Sequence, residues 1–186
     1  MKIAEFSKVA DLVTRESWER MKNYGRPDKI GKVAPPKDLY GLTFGQLIEA
    51  QTLAKDNNIE DLCCLLLGIN RKQYNNSPAG EMMAFAYWVA RELENIAKMF
   101  AKLSVKPTAE QLKAGCERLQ FGLFGTLDWY CLRMGITDHA EAENTKWVRI
   151  YECMKIDKQR AEYEQNLRKI YEQQQKQQQQ MRNRRK

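Results

Sequence analysis

Apolar side chains recur every three or four positions along most of the chain, and no run alternates strictly enough to propose a strand. The pattern predicts an all-α fold, a helical bundle with a long projecting C-terminal helix. A first helix is expected from about Ile3 to Asn23 on the stripe Ile3, Phe6, Val9, Ala10, Val13 and Met21, ending where Tyr24-Gly25-Arg26-Pro27 punctuates the chain. Residues 25–41 are polar and interrupted by Gly and by Pro35-Pro36, which reads as an extended arm or linker.

The bundle itself is expected over residues 42–135. Thr43 with Gln46 forms a capping-box pattern, in which the hydroxyl accepts from the third helical N–H and the amide reaches back to the cap. That helix carries Leu47, Ile48, Ala50, Leu53 and Ala54 and breaks at Asp56-Asn57-Asn58. Asn58 suits the cap of a second helix, with Glu60 and Asp61 at the positive end of its dipole and Gly68 at its end. Leu62-Cys63-Cys64-Leu65-Leu66-Leu67 is apolar around its circumference, so both faces are expected to be covered. The most buried helix runs from Ser77-Pro78 to about Leu103 on Met82, Phe85, Ala86, Val89, Leu93, Ile96 and Phe100. Thr108 with Gln111 opens a fourth core helix, on Leu112, Cys116, Leu119, Leu123, Leu127 and Tyr130. Gly115, Gly122 and Gly125 along it imply a close crossing or a kink, because each costs about 1 kcal/mol against alanine.

Residues 136–186 complete the division of the chain that began with residues 1–41 and 42–135. Asp138 with Glu141 caps a last helix that meets no Gly or Pro from His139 onward and extends over about 40 residues, roughly 60 Å. Trp147, Val148, Ile150, Tyr151 and Met154 dock its first third. Beyond them Asp157 and Lys158 occupy the inward positions, and Tyr163, Leu167, Ile170 and Tyr171 form a second, thinner stripe without an internal partner. This stripe is the candidate partner-binding face, an amphipathic helix for the groove of another protein or of a symmetry mate. The chain then becomes glutamine-rich and ends on Arg182, Arg184, Arg185 and Lys186.

Charge follows the same division. Of a net +7, the segment from Lys155 onward holds +6, with ten basic and four acidic residues. The rest is nearly neutral and lacks the broad basic field of a nucleic-acid-binding domain. Arg182, Arg184, Arg185 and Lys186 are therefore the candidate nucleic-acid contacts, or else they keep a glutamine-rich end soluble. Phe121, Phe124, Trp129 and Tyr130, at helical spacing, read as core in preference to base-stacking groups.

Catalytic chemistry finds little footing. His139 is the only histidine and falls in the first turn of a helix, as a solvated residue would. Cys63, Cys64, Cys116, Cys131 and Cys153 form no C-x-x-C pair, and their apolar settings indicate buried, reduced thiols and a reducing compartment. Glu92 with Glu94, and Glu141 with Glu143, point in different directions on a helix and form no carboxylate dyad. No glycine-rich phosphate loop is present. The expectation is a non-enzyme without cofactor or metal. Charged residues interrupt the N-terminus too early for a signal peptide, and Met82–Ala90, the longest apolar run, is too short to span a bilayer.

The stretch Asp38-Leu39-Tyr40-Gly41-Leu42-Thr43-Phe44-Gly45-Gln46-Leu47-Ile48-Glu49, followed by Ile59-Glu60-Asp61-Leu62 and Leu65-Leu66-Leu67-Gly68-Ile69, resembles small helical morphogenesis proteins of tailed bacteriophages. Their pattern is an L-T-x-G-Q-h-I-E entry before an acidic-hydrophobic helix ending in L-x-G, here about 30 residues. The resemblance implies a tail-assembly chaperone or a structural piece of the virion, located in the virion or the bacterial host cytoplasm. Other virion or assembly proteins would be its partners, with homo-oligomerisation within an assembly and no membrane role expected, and there are no catalytic residues to carry over. The long basic C-terminal helix departs from a simple chaperone and looks more like the projecting element by which head-to-tail connector proteins grip a neighbouring ring.

Overall fold

A computed structural model of the chain describes residues 1–6, 25–104, 107–119 and 121–184, the side chains of Arg182 and Arg184 excepted. Most of the helix expected from Ile3 to Asn23 lies outside the described residues; what is described of it is α1, Ile3–Phe6. The remaining helices are α2 (Phe44–Lys55), α3 (Ile59–Leu67), α4 (Arg71–Asn76), α5 (Ala79–Ala101), α6 (Ala109–Lys113), α7 (Gly122–Met134), α8 (His139–Glu143) and α9 (Trp147–Arg184), with a 3-10 turn at Cys116–Arg118. The fold is an all-α bundle from which a long C-terminal helix continues, and among the described residues the only strand-like pairings are isolated bridges such as Thr43 with Lys146.

Local chemistry accounts for the helix starts. Thr43 Oγ1 accepts from the Gln46 N–H at 3.2 Å while Gln46 Oε1 accepts from the Thr43 N–H at 3.0 Å. Thr108 and Gln111 repeat the arrangement at α6, and so do Asn70 and Gln73 at α4, a pair that sequence reading passed over. Asn58 accepts from the Asp61 N–H at 3.3 Å. Arg71 joins this corner at 3.0 Å from Asp61, and the hydrogen bonds from Asn58 and Arg71 hold the Asp61 carboxyl below its ordinary range.

Packing centres on α5, whose Met82, Phe85 and Val89 are fully buried. Around it lie Phe44, Leu47 and Ala50 of α2, Leu62 and Cys63 of α3, Leu127 and Tyr130 of α7, and Trp147 and Ile150 of α9. The α3 expectation holds in part: Leu62 and Cys63 are buried, but Cys64, Leu65, Leu66 and Leu67 stay half-buried. Residues 25–41 are extended yet closely packed, with Ile30 and Leu39 buried in the core. Gly31 N–H donates to Glu81 Oε2 at 2.7 Å, tying this arm to α5.

Two expected helices are broken. The fourth core helix is divided into α6, the 3-10 turn and α7, because Gly115 (φ +84°) and Gly122 (φ +56°) take the left-handed conformation that stops a helix. The division turns Leu112, Leu119, Phe121 and Phe124 outward, so the expected core placement of Phe121 and Phe124 is corrected; Tyr130 remains buried. The last helix does not run unbroken from His139. It pauses at residues 144–146, where Phe44 N–H donates to Thr145 O at 2.8 Å and Trp147 N–H donates to Leu42 O at 3.2 Å. Tertiary hydrogen bonds have replaced the local helical ones. Gly45 makes room for this crossing, since a Cβ there would stand 3.2 Å from Glu143 Cβ.

Trp147 holds the junction. It is fully buried, its indole N–H donates to Leu39 O at 2.8 Å, and its ring lies 5.6 Å from Tyr40 and 5.9 Å from Phe100. Trp147→Phe keeps an aromatic ring but removes the indole N–H, stranding the Leu39 carbonyl, and leaves a small cavity; it should lower the unfolding free energy by about 2 kcal/mol or more in urea titration.

Candidate interaction surface

The first third of α9 is seated by apolar contacts and its middle by polar ones. Trp147 and Ile150 are buried, and Tyr151 meets Phe100 edge-on at 5.5 Å. One turn past Met154 the character changes. Arg133 of α7 donates from Nε to Asp157 Oδ2 at 3.0 Å and from Nη2 to Asp157 Oδ1 at 3.3 Å. That hydrogen bonding, ahead of any other influence, raises the Arg133 pKa above its ordinary value. Arg133 also lies 5.9 Å over the Trp129 ring. Lys158 Nζ donates to Lys102 O at 2.6 Å, at the C-terminal end of α5, where a cation complements the helix dipole. The inward polar residues at 157 and 158 are thus clamps on the bundle.

From Glu162 onward every described side chain of α9 is exposed except Leu167, which is half-buried. This stretch of the helix, residues 162–184, is about 35 Å long. Tyr163 is 66% exposed, Ile170 49% and Tyr171 55%, and with Leu167 they occupy one side of the helix. The structure therefore places all four candidate partner-binding residues together on an uncovered face. Ile156 and Met181, also exposed, extend it at both ends. The i, i+7 spacing of Ile156, Tyr163 and Ile170 was the available sequence signal for the first of these. Arg182 and Arg184 fall in the last turn of α9, while Arg185 and Lys186 lie outside the described residues.

A second apolar surface was not anticipated. Where α7 passes α9, Leu103, Leu119, Phe121, Trp129, Met154 and Ala161 line a groove of about 680 Å³, with Asp157 and Lys158 at its edge. Leu119 and Phe121 reach it because of the breaks at Gly115 and Gly122. A continuous helical period through those glycines hid the site from sequence analysis.

The groups weighed for chemistry have ordinary surroundings. His139 is exposed, edge-on to Phe124 at 5.3 Å and 3.7 Å from Asp128 Oδ1. Glu94 pairs with Lys98 at 2.7 Å. Burial, with a smaller effect from Cys64, pushes the Cys63 thiol up to about 12, and burial chiefly raises Cys64 and Cys131. These thiols are protonated at neutral pH, the opposite of an activated nucleophile. Among the described residues, no group of three or more His, Cys, Asp or Glu side chains is placed to hold a metal ion, and no helix is long and apolar enough to cross a membrane.

Two outcomes follow. Cys63 ionises more readily in the unfolded chain, near pH 8.5, than in the fold, so stability present below that value is lost as pH rises toward the folded value of about 12. The urea midpoint should fall between pH 8.5 and 10.5, and fall less in Cys63→Ala than in the unaltered chain. Separately, Asp157→Asn should speed amide exchange several-fold over residues 155–162 in mass spectrometry while leaving α5 protected.

No protein-family model, no curated protein and no solved structure matches the chain.

Proposed function

We propose that this chain is a non-enzymatic structural or assembly protein that works through protein–protein contacts made by its C-terminal helix. The observation that carries the reading is the exposed face of Tyr163, Leu167, Ile170 and Tyr171 on a helix held at its base by Arg133–Asp157 and Lys158–Lys102. A helix of this composition, uncovered by its own domain, gains its stability from a surface supplied by another molecule.

The likeness of residues 38–49 and 59–69 to small helical morphogenesis proteins of tailed bacteriophages gives the reading its setting, a component of the virion or of its assembly. Within that setting the projecting helix favours a connector or ring component over a tail-assembly chaperone. The residues carrying the likeness also have local tasks, since Thr43 and Gln46 cap α2 and Gly45 admits α8. The competing reading is a nucleic-acid accessory protein acting through Arg182, Arg184, Arg185 and Lys186.

A photo-crosslinking residue at position 170 of the full chain, co-expressed with the products of its neighbouring genes, discriminates the two. Crosslinks to protein are expected, insensitive to nuclease, retained after truncation beyond Tyr171 and abolished by Tyr163→Asp. Crosslinks to nucleic acid alone, lost on that truncation and falling steeply with salt, would overturn the proposal.

A further inference from the structure

The uncovered face of α9 has a repeat that its apolar residues alone do not reveal. Ile156, Tyr163, Ile170 and Gln177 are spaced by seven, and so are Arg160, Leu167, Gln174 and Met181. The two series interleave by three and four residues, which is the spacing of a coiled-coil seam with Arg160, Leu167, Gln174 and Met181 at a and Ile156, Tyr163, Ile170 and Gln177 at d. At 3.6 residues per turn the seam lies about 120° around the helix from Ile150, which is buried in the bundle. The bundle leaves it clear.

We infer that further copies of this chain cover the seam, in a parallel, in-register coiled coil of three or four α9 helices. This rests on the reading of α9 as a protein-contact helix and names its partner.

Charge identifies that partner. In a parallel coil, position g of one strand faces position e of the next heptad on its neighbour. From Gln159 onward those pairs are Gln159 with Glu164, Asn166 with Tyr171, and Gln173 with Gln178, so no like charges oppose one another there; the pair before them, Glu152 with Asp157, is acidic on both sides, and its Asp157 is already bonded by Arg133 of its own chain. The basic residues Arg168, Lys169 and Lys176 all fall at b and c, outside the contact. Of the +6 carried from Lys155 onward, Arg182, Arg184, Arg185 and Lys186 supply +4 beyond Met181, the last residue of the seam, and the cations alongside the seam itself, Arg160 apart, stay off its flanks. Tyr171, at e, packs beside the seam and accounts for the fourth residue of the exposed face.

Side-chain shape sets the number of strands. Leu at a with β-branched Ile at d disfavours two strands and favours larger coils. Leu167 and Ile170 make that combination in the middle of the seam, and Ile156 is a second β-branched d residue. Gln174 and Gln177 supply polar layers that fix register by side-chain hydrogen bonds between like positions. Arg160 is the one charged seam residue, and its Nη1 lies 3.9 Å from Asp157 Oδ1 of its own chain.

Sedimentation equilibrium on the full 21.8 kDa chain tests the inference. Three or four chains are expected, reverting to one in Leu167→Asp/Ile170→Asp with the far-ultraviolet signal and urea midpoint of the bundle retained. Gln174→Leu, at a, should lower the dissociation constant about tenfold or more, whereas Gln175→Leu, at b, should not change it. Gln159→Lys should tighten the assembly against Glu164, and Gln159→Glu should loosen it. A monomer or dimer, an oligomer indifferent to Leu167→Asp/Ile170→Asp, or equal responses at 174 and 175 would overturn the inference. A monomer that still crosslinks to another protein from position 170 would defeat only the self-association, whereas loss of every protein crosslink would defeat the functional reading as well.

Discussion

The architecture depends on burying one indole without stranding its N–H. Trp147 cannot enter the core unless its ring nitrogen finds an acceptor, and the acceptor is Leu39 O, 108 residues earlier in the chain. That bond brings the arm to the start of α9. The backbone N–H of the same residue bonds Leu42 O, and Thr145 O accepts from Phe44, so the approach to α9 pairs with the approach to α2. These contacts fix where the last helix begins and the line along which it leaves. Were residues 139–184 one uninterrupted helix, the groups at 145 and 147 would bond within the helix, and Leu42 and Phe44 would lose these partners.

The line between bundle and projecting helix is drawn by chemistry more than by length. Up to Met154 the helix is held by apolar burial, which is strong but weakly directional. At 157 and 158 it is held by Arg133 and by the Lys102 carbonyl, which are directional and tolerate water nearby. Polar clamps at the rim let the helix leave the core without exposing an apolar edge. They also set the rotation of α9, and so the direction in which Tyr163, Leu167 and Ile170 face.

Much of this architecture was legible in the sequence, for identifiable reasons. Capping boxes at Thr43 and Thr108 and the stripe of Met82, Phe85 and Val89 are local signals, and local signals survive into the fold. The exposed face at Tyr163, Leu167, Ile170 and Tyr171 was readable because apolar spacing there persists after the docking stripe ends. What escaped was decided by distant contacts. Nothing near Asn144-Thr145-Lys146 announces that Phe44 and Leu42 will take its hydrogen bonds. The apolar residues of the arm, Ile30, Val33, Ala34, Leu39 and Tyr40, follow no period, yet Ile30 and Leu39 are buried. Gly115 and Gly122 were visible as costs to a helix, but whether a glycine kinks a helix or ends it depends on φ, and here φ is positive. The groove beside Phe121 was missed for that reason.

The far part of α9 makes folding and association a single problem. Residues 173–180 are glutamine except for Lys176, good helix formers with no apolar face to bury, and helices of this kind are marginal in water unless something lengthens or covers them. The bundle supplies a nucleated start at Trp147, which removes the costly first turn. Each further residue then adds one hydrogen bond for the entropy of fixing it, a near balance that fades toward the C-terminus. Apolar contact at Tyr163, Leu167 and Ile170 tips that balance where it is closest to even. A partner on this face therefore stabilises helix on both sides of its own footprint, and association is felt beyond the residues that touch.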